Sequence, residues 1–217
     1  IANGANTEWR QALADAVGTP IDRVALHTIH QHDAPFADFT TEALMVKSEL
    51  PETMFDTAFT RDVIARSAKA AKKSLRHKKR VTHIGMGKAK VDRVASNRRI
   101  MGEDGKVRAV RWTTCTDPAL RAEPEGTIDP YLRAVSFWKG DTPILIMTHY
   151  ATHPQSYYGL GLVSADFPGL ARAQREVELP KTKHFHFNGA GGNIGAGKYN
   201  DGDHKTVPFS RDVCAMA

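Results

Sequence analysis

Leu132-Arg-Ala-Val-Ser-Phe-Trp138, then Lys139-Gly-Asp-Thr-Pro143, then Ile144-Leu-Ile-Met-Thr-His149 is the stretch on which the fold turns. Both flanks are short, apolar and rich in β-branched or aromatic residues. The polar segment between them carries Gly140, Asp141 and Pro143, so the stretch reads as two strands joined by a hairpin turn.

Outward from that hairpin, strand-like and helix-like patterns alternate. Upstream, Val81–Val94 reads as one or two strands with Gly85-Met-Gly87 as a bend, and Val107–Thr114 as another strand. Thr60–Arg76 places Val63, Ala70, Ala71 and Leu75 at helical spacing, with Phe59 just ahead of it. Glu8–Val17 is a second helix, stopped by Gly18-Thr-Pro20. Val24–Ile29 reads as a buried strand, and residues 36–55 as loop with a short helix. Downstream, Asp166 is placed to cap a helix over Phe167–Val177, with Pro168 in its first turn. Lys183–Phe187 is a further strand, running into the glycine-rich Asn188–Gly197. The expected class is α/β: a mixed sheet core flanked by helices, with a metal site at strand ends.

The chain has 217 residues, 41% hydrophobic and 25% charged, which suits one folded domain over residues 1–217. The opening at Ile1 and a helix-like close at Asp212–Ala217 lead to the expectation of a fragment of a larger catalytic domain. No apolar run is long enough for a transmembrane helix. Cys115 and Cys214 are too few for a disulfide scaffold or a thiolate cluster.

The formal charge of +6 hints at an acidic partner. Arg66 to Arg80, however, gathers eight cations with no acid among them, and without that block the chain is slightly acidic. The block reads first as the solvated face of a helix, with contact to a membrane surface as the second reading. It contains no aromatic residue for base stacking, so no nucleic-acid partner is expected.

Histidine is more telling. Of ten in the chain, His27, His30 and His32 form one group, His149 and His153 a second, His184 and His186 a third. His30 and His32 point the same way on extended chain, at a strand end where α/β proteins carry their sites. His149 and His153 lie at the end of the strand 144–147, and Pro154 argues against a continuing helix. Imidazole is a common zinc ligand, and a neighbouring His can serve as acid or base. Each group alone fits an ordinary hydrogen-bonded histidine as well as a ligand. The glycine-rich stretch lacks the G-K-[ST] of a P-loop and no helix follows it, so it is not a nucleotide fingerprint. Its backbone amides suit an anion or a polarised carbonyl instead.

In order along the chain, four segments resemble the neutral/alkaline (non-lysosomal) ceramidase family. His30-Gln-His-Asp-Ala-Pro35 resembles the family's H-T-H-S-G-P, and Ser96-Asn-Arg-Arg99 resembles N-R-[SR]. Thr148–Ser156 with Ser164-Ala-Asp-Phe-Pro-Gly169 resembles H-P…S-x-D-x-x-G, and Phe187–Ala196 resembles F-x-x-x-x-G-D-V-S-P. The match covers most of this chain but only a middle portion of the family's catalytic domain.

The resemblance implies one zinc ion held by His30 and His153, with His32 and Arg98 acting in catalysis. It implies further zinc ligands, a Glu and a Tyr, beyond Ala217. Gly192, Asn193 and Gly195 would hold the oxyanion or an anionic substrate group, and Asp166 would orient a ligand from behind when it is not simply a helix cap. In the last segment the chain departs from the family where it bears on the chemistry: Asn193 stands for its Asp, and Gly195 for its Ser. The implied activity is zinc-dependent hydrolysis of an amide (N-acyl) bond by metal-activated water, on a small-molecule or lipid substrate in sphingolipid metabolism. An extracytoplasmic location, secreted or periplasmic, is implied in the same way. A zinc esterase or amidase for small polar substrates is the alternative enzyme. A binding module that keeps the fold without the reaction is the alternative of another class. The oligomeric state is not legible.

Overall fold

The computed structural model describes residues 1–51, 55–157 and 163–202. The chain divides into two compact units: residues 1–28 with 34–79, and residues 29–33 with 80–217.

The first unit is helical. Helix α1 spans Asn3–Val17 and ends where Gly18 takes φ +69°, with its N–H on the Ala14 carbonyl. Helix α2 spans Phe39–Lys47, capped by the Asp38 carboxylate, which accepts from the Thr40 and Thr41 amides. Helix α3 spans Thr57–Ser74, capped by Asp56 accepting from Phe59 N–H. Ala5, Ala37, Phe39 and Ile64 form a small core, with Trp9 and Ala12 packed on it. The cations of α3 from Arg66 onward are exposed, while Arg61 lies over the Phe39 ring, 4.2 Å from its centroid. Among them only Arg66 has an acid on its own helix, Asp62 at 2.7 Å, and Lys72 and Lys73 sit in the last turn, where the helix dipole favours positive charge. Val24–Ile29 is not a strand: it has no regular structure and no ladder partner among the described residues. A short apolar run becomes a strand only when a neighbour takes up its backbone groups.

The second unit is a mixed α/β body. Its sheet contains β1 (His83–Lys90), β5 (Tyr131–Lys139), β6 (Thr142–Tyr150) and β7 (Lys183–Asn188) in the order β1-β5-β6-β7. The β5–β6 hairpin lies where its turn chemistry placed it, with Lys139 opposite Thr142 and a register shift at Phe137/Trp138. Gly85 and Gly87 do not bend the chain but lie inside β1. At Gly85 a Cβ would come within 2.7 Å of Ser136 Oγ, so the side chain is absent because the facing strand occupies its space. Short strands β2 (Ser96–Asn97), β3 (Arg99–Met101) and β4 (Val107–Val110) precede helix α4 (Pro118–Ala122), and β2 pairs with β8 (Ile194–Gly195). The strand expected over 107–114 stops at Val110.

β6 and β7 run parallel, Leu145 opposite Lys183 through to Tyr150 opposite Asn188, joined through helix α5 (Asp166–Glu178). Parallel neighbours require such a crossover, and it brings both carboxyl ends to the same edge of the sheet. The core of this unit is Val91, Val94, Ala95, Tyr150 and Ile194, with Ile128 and Leu132 against it. Among the described residues no helix is long and apolar enough to cross a membrane.

Candidate metal centre

The loop after β6 begins Ala151-Thr-His153, and the loop after β7 is the glycine-rich segment. They leave the same edge and pack closely. A Cβ on Gly189 would lie 3.1 Å from Ala151 Cβ, and one on Gly191 would lie 3.1 Å from the Thr152 amide nitrogen. The approach lets the glycine loop turn its carbonyls onto His153. Nδ1 of His153 is 2.8 Å from the Gly191 oxygen and 2.9 Å from the Ile194 oxygen. Carbonyl oxygens only accept, so Nδ1 carries the hydrogen and Nε2 keeps its lone pair for a ligand. The backbone N–H of His153 also donates to Ile194 O, and the ring is buried.

Residues 29–33 reach the same edge. Asn188 Nδ2 donates to Ile29 O at 2.8 Å, and Ser164 N–H donates to Asp33 O at 3.2 Å. His30, between these anchors, holds φ +58°, a left-handed conformation uncommon outside glycine, though His takes it more readily than most side chains. The bend brings three imidazoles together. Ring centroids are 4.7 Å apart for His30–His32, 4.9 Å for His30–His153 and 5.7 Å for His32–His153. One nitrogen of each lies within 4.8 Å of the others, so the trio could hold a metal ion.

The electrostatics favour neutral rings. Burial pushes the His30 pKa down, and His153 and Arg98 push the same way. Burial also lowers that of His32, helped by His30 and His153, against a hydrogen bond to the Pro154 carbonyl and the charge of Asp166. Neutral imidazole is the form that ligates. Three imidazoles grouped in this way could hold a metal ion, and a nitrogen donor set suits a transition metal better than magnesium or calcium.

Arg98 lies beside the cluster. Its guanidinium carbon is 4.8 Å above the Trp112 ring, and its backbone is held by Asn193 O and Arg111 N–H, each at 2.7 Å. Asp166 is buried, with φ +51°. It is not the helix cap expected from sequence, since the cap position of α5 is Ala165 and carries no side-chain bond. The Asp166 carboxylate instead accepts from the amides of Ser156 (3.1 Å), Tyr157 (2.9 Å) and Phe167 (2.7 Å). It therefore pins the loop that follows His153.

The glycine segment divides by position. Both ends of the Asn193 amide are engaged: Oδ1 accepts from Arg99 Nε at 2.7 Å, and Nδ2 donates to Asn97 Oδ1. Gly192 has open space where a Cβ would be, and a Cβ on Gly195 would make ordinary contact with Arg98 at 3.6 Å. The amides of Gly191 and Ile194 are used inside the loop, on Gly189 O and Gly191 O. His149 stands apart from the cluster, stacked on Phe187 with centroids 5.2 Å apart. The orienting carbonyls of Gly191 and Ile194, and the Asn188 anchor, were not foreseen from sequence. A backbone carbonyl has no residue signature.

No known family model matches the chain, and no curated protein matches it. Solved structures do. Neutral ceramidase from Pseudomonas aeruginosa is 17% identical, with a TM-score of 0.48 over 76% of this chain and 25% of that one. A ceramidase complexed with C2 is 14% identical, with a TM-score of 0.48 over 72% of this chain and 24% of that one. The chain spans about a quarter of the length of these structures.

Proposed function

We propose that this chain is the metal-binding part of a zinc-dependent hydrolase that cleaves an amide (N-acyl) bond, on a substrate of the N-acyl lipid kind. One observation carries the reading: His153, far in sequence from the neighbouring His30 and His32, converges with them to within 4.8 Å, its buried ring already fixed in its ligating tautomer. The ordered motif resemblance supports the choice of amide chemistry.

His30 and His153 would hold the ion. Bound zinc would polarise a carbonyl and lower the pKa of water to about 7. His32 takes the proton from the attacking water and returns it to the leaving nitrogen as the C–N bond breaks. Arg98 donates hydrogen bonds to the oxygen that gains negative charge. The exposed backbone at Gly192 and the neighbouring Asn193 and Gly195 border the substrate, and Asp166 holds the loop behind His153. A second reading makes His32 a third ligand, favoured by its place in the same 4.8 Å group. The extracytoplasmic location and a membrane contact through the cations of α3 belong to the same proposal.

The test is metal analysis of the full-length protein together with hydrolysis of short- and long-chain N-acyl substrates. One zinc per chain, lost with activity in His153→Ala, is expected. A zinc-free wild-type chain that hydrolyses neither substrate would leave the non-catalytic module standing. In His32→Ala, retained zinc with lost turnover separates acid–base work from ligation.

A further inference from the structure

A cavity of about 220 Å³ lies in the second unit between the sheet and α5, and it shares no residue with the histidine cluster. Val91, Val94, Leu132, Ala134 and Ile146 give it an apolar wall. It runs beside β6 from Ile146 to Tyr150, a span of about 13 Å at the rise of a β-strand. At the Tyr150 end it is bounded by Phe167 and Pro168, from the first turn of α5. At the Ile146 end it meets His184, directly opposite Ile146 in the β6–β7 ladder, together with Arg172 and Arg175 of α5.

The two ends therefore differ in chemistry. His184 is 4% exposed, and its Nε2 is buried with no hydrogen-bond partner. A buried nitrogen left without a hydrogen bond is destabilising, so such an atom lining a cavity points to a polar group entering from the cavity side. Arg172 uses its Nε on His184 O (2.7 Å) and Arg175 uses Nη1 on Glu178 (2.6 Å), which leaves further guanidinium donors on both. Ordered water fits the rest of the space poorly. A cavity of this volume has room for several molecules, each needing two to four polar partners; Thr148, Tyr150 and His186 offer polar atoms along one side, but the face made by Val91, Val94, Leu132, Ala134 and Ile146 offers none.

We infer that this cavity binds a medium-chain carboxylate, its tail along the β6 wall and its carboxylate at His184, Arg172 and Arg175. The volume lies below the range usual for drug-sized ligands, which sets the scale at a single short aliphatic chain. The two arginines select an anion over a neutral alcohol of the same length. Burial lowers the His184 pKa below its ordinary value, in keeping with a ring whose buried nitrogen lacks a hydrogen bond.

The experiment uses the full 217-residue chain with sodium decanoate and decanol as probes, followed by calorimetry and by amide chemical shifts. Saturable one-to-one binding of decanoate, tighter than that of decanol, is expected. Ala134→Leu and Ala171→Phe each fill the cavity with an apolar group and should weaken decanoate binding by about tenfold or more. His184→Leu should erase the preference for decanoate over decanol. His153→Ala should leave binding intact, which separates this site from the metal centre. The inference is overturned if wild-type binding is unsaturable, if both folded filling variants bind as wild type does, or if His153→Ala abolishes binding.

Discussion

The Nδ1 atom of His153 lies 2.8 Å from the carbonyl oxygen of Gly191, a residue of a different loop. Gly191 can present that oxygen because nothing but hydrogen occupies its side-chain position against Thr152, where a Cβ would sit 3.1 Å from the backbone nitrogen. Gly191→Ala must move the loop by a few tenths of an ångström and loosen the ring. Loss of such an orienting contact typically lowers metal affinity by about 10–100-fold. A zinc competition titration of Gly191→Ala should fall in that range with the far-ultraviolet spectrum unchanged. Wild-type affinity in this variant would show that the carbonyl does not set the ligand.

Gly195 stands where the resembled family has serine, and the space is there to be filled. A Cβ at this position meets only Arg98 Cγ and Cδ, at 3.6 and 3.7 Å, and the backbone is not in the left-handed region. Gly195→Ser should therefore fold with a stability within about 1 kcal/mol of wild type, as substitutions without a clash do. Urea denaturation measures this. A loss of several kcal/mol would mean that β8 cannot open enough to accept a hydroxymethyl group beside Ser96.

The hairpin was legible because its information is local: alternating apolar residues and a glycine-containing turn lie next to each other in sequence. The histidine cluster was half legible. His30, His32 and His153 carry the right chemistry, but His149 has the same spacing from the strand end as a ligand would. What separates His149 from His153 is that β6 stops at Tyr150: the first stays on the sheet against Phe187 and the second rides the loop onto Gly191. Asp166 is open in sequence between a helix cap and a residue that orients a ligand from behind. Its position before Phe167 looks like a cap in one dimension, whereas the amides that need an acceptor belong to residues 156–157 and arrive only through the fold. The strand expected at Val24–Ile29 failed because propensity alone supplies no hydrogen-bond partner.

That use of Asp166 makes a third prediction. Asp166→Ala leaves the amides of Ser156, Tyr157 and Phe167 without their acceptor and puts a Cβ-bearing residue with no polar group at φ +51°. An unmet buried donor costs about 1–3 kcal/mol, and partial access to water brings the sum for this loop to the order of 3 kcal/mol. Asp166→Asn tolerates the left-handed backbone and keeps one acceptor oxygen, so its loss should be smaller. Denaturant midpoints of the two variants decide between these roles. Equal losses would mean that the carboxylate contributes by charge to His32 rather than by holding the loop.

His184 gives the stability of the second unit a pH dependence whose sign follows from its surroundings. Burial lowers its pKa below the ordinary 6.5, and Arg175 and Arg172 act in the same direction against Glu176 and Glu178. The unfolded chain therefore takes up a proton at higher pH than the folded chain does. Stability is full above about pH 6.5 and declines as pH falls through that value toward the lowered folded pKa, below which no further loss accrues from this group. His30 and His32 are lowered too and add to the same slope. Removing one of the three should flatten the dependence without abolishing it. Unfolding free energies at pH 7.5 and pH 5.5 should differ less for His184→Leu than for wild type. An unchanged or steeper difference in the variant would show that His184 titrates alike in the folded and unfolded chains.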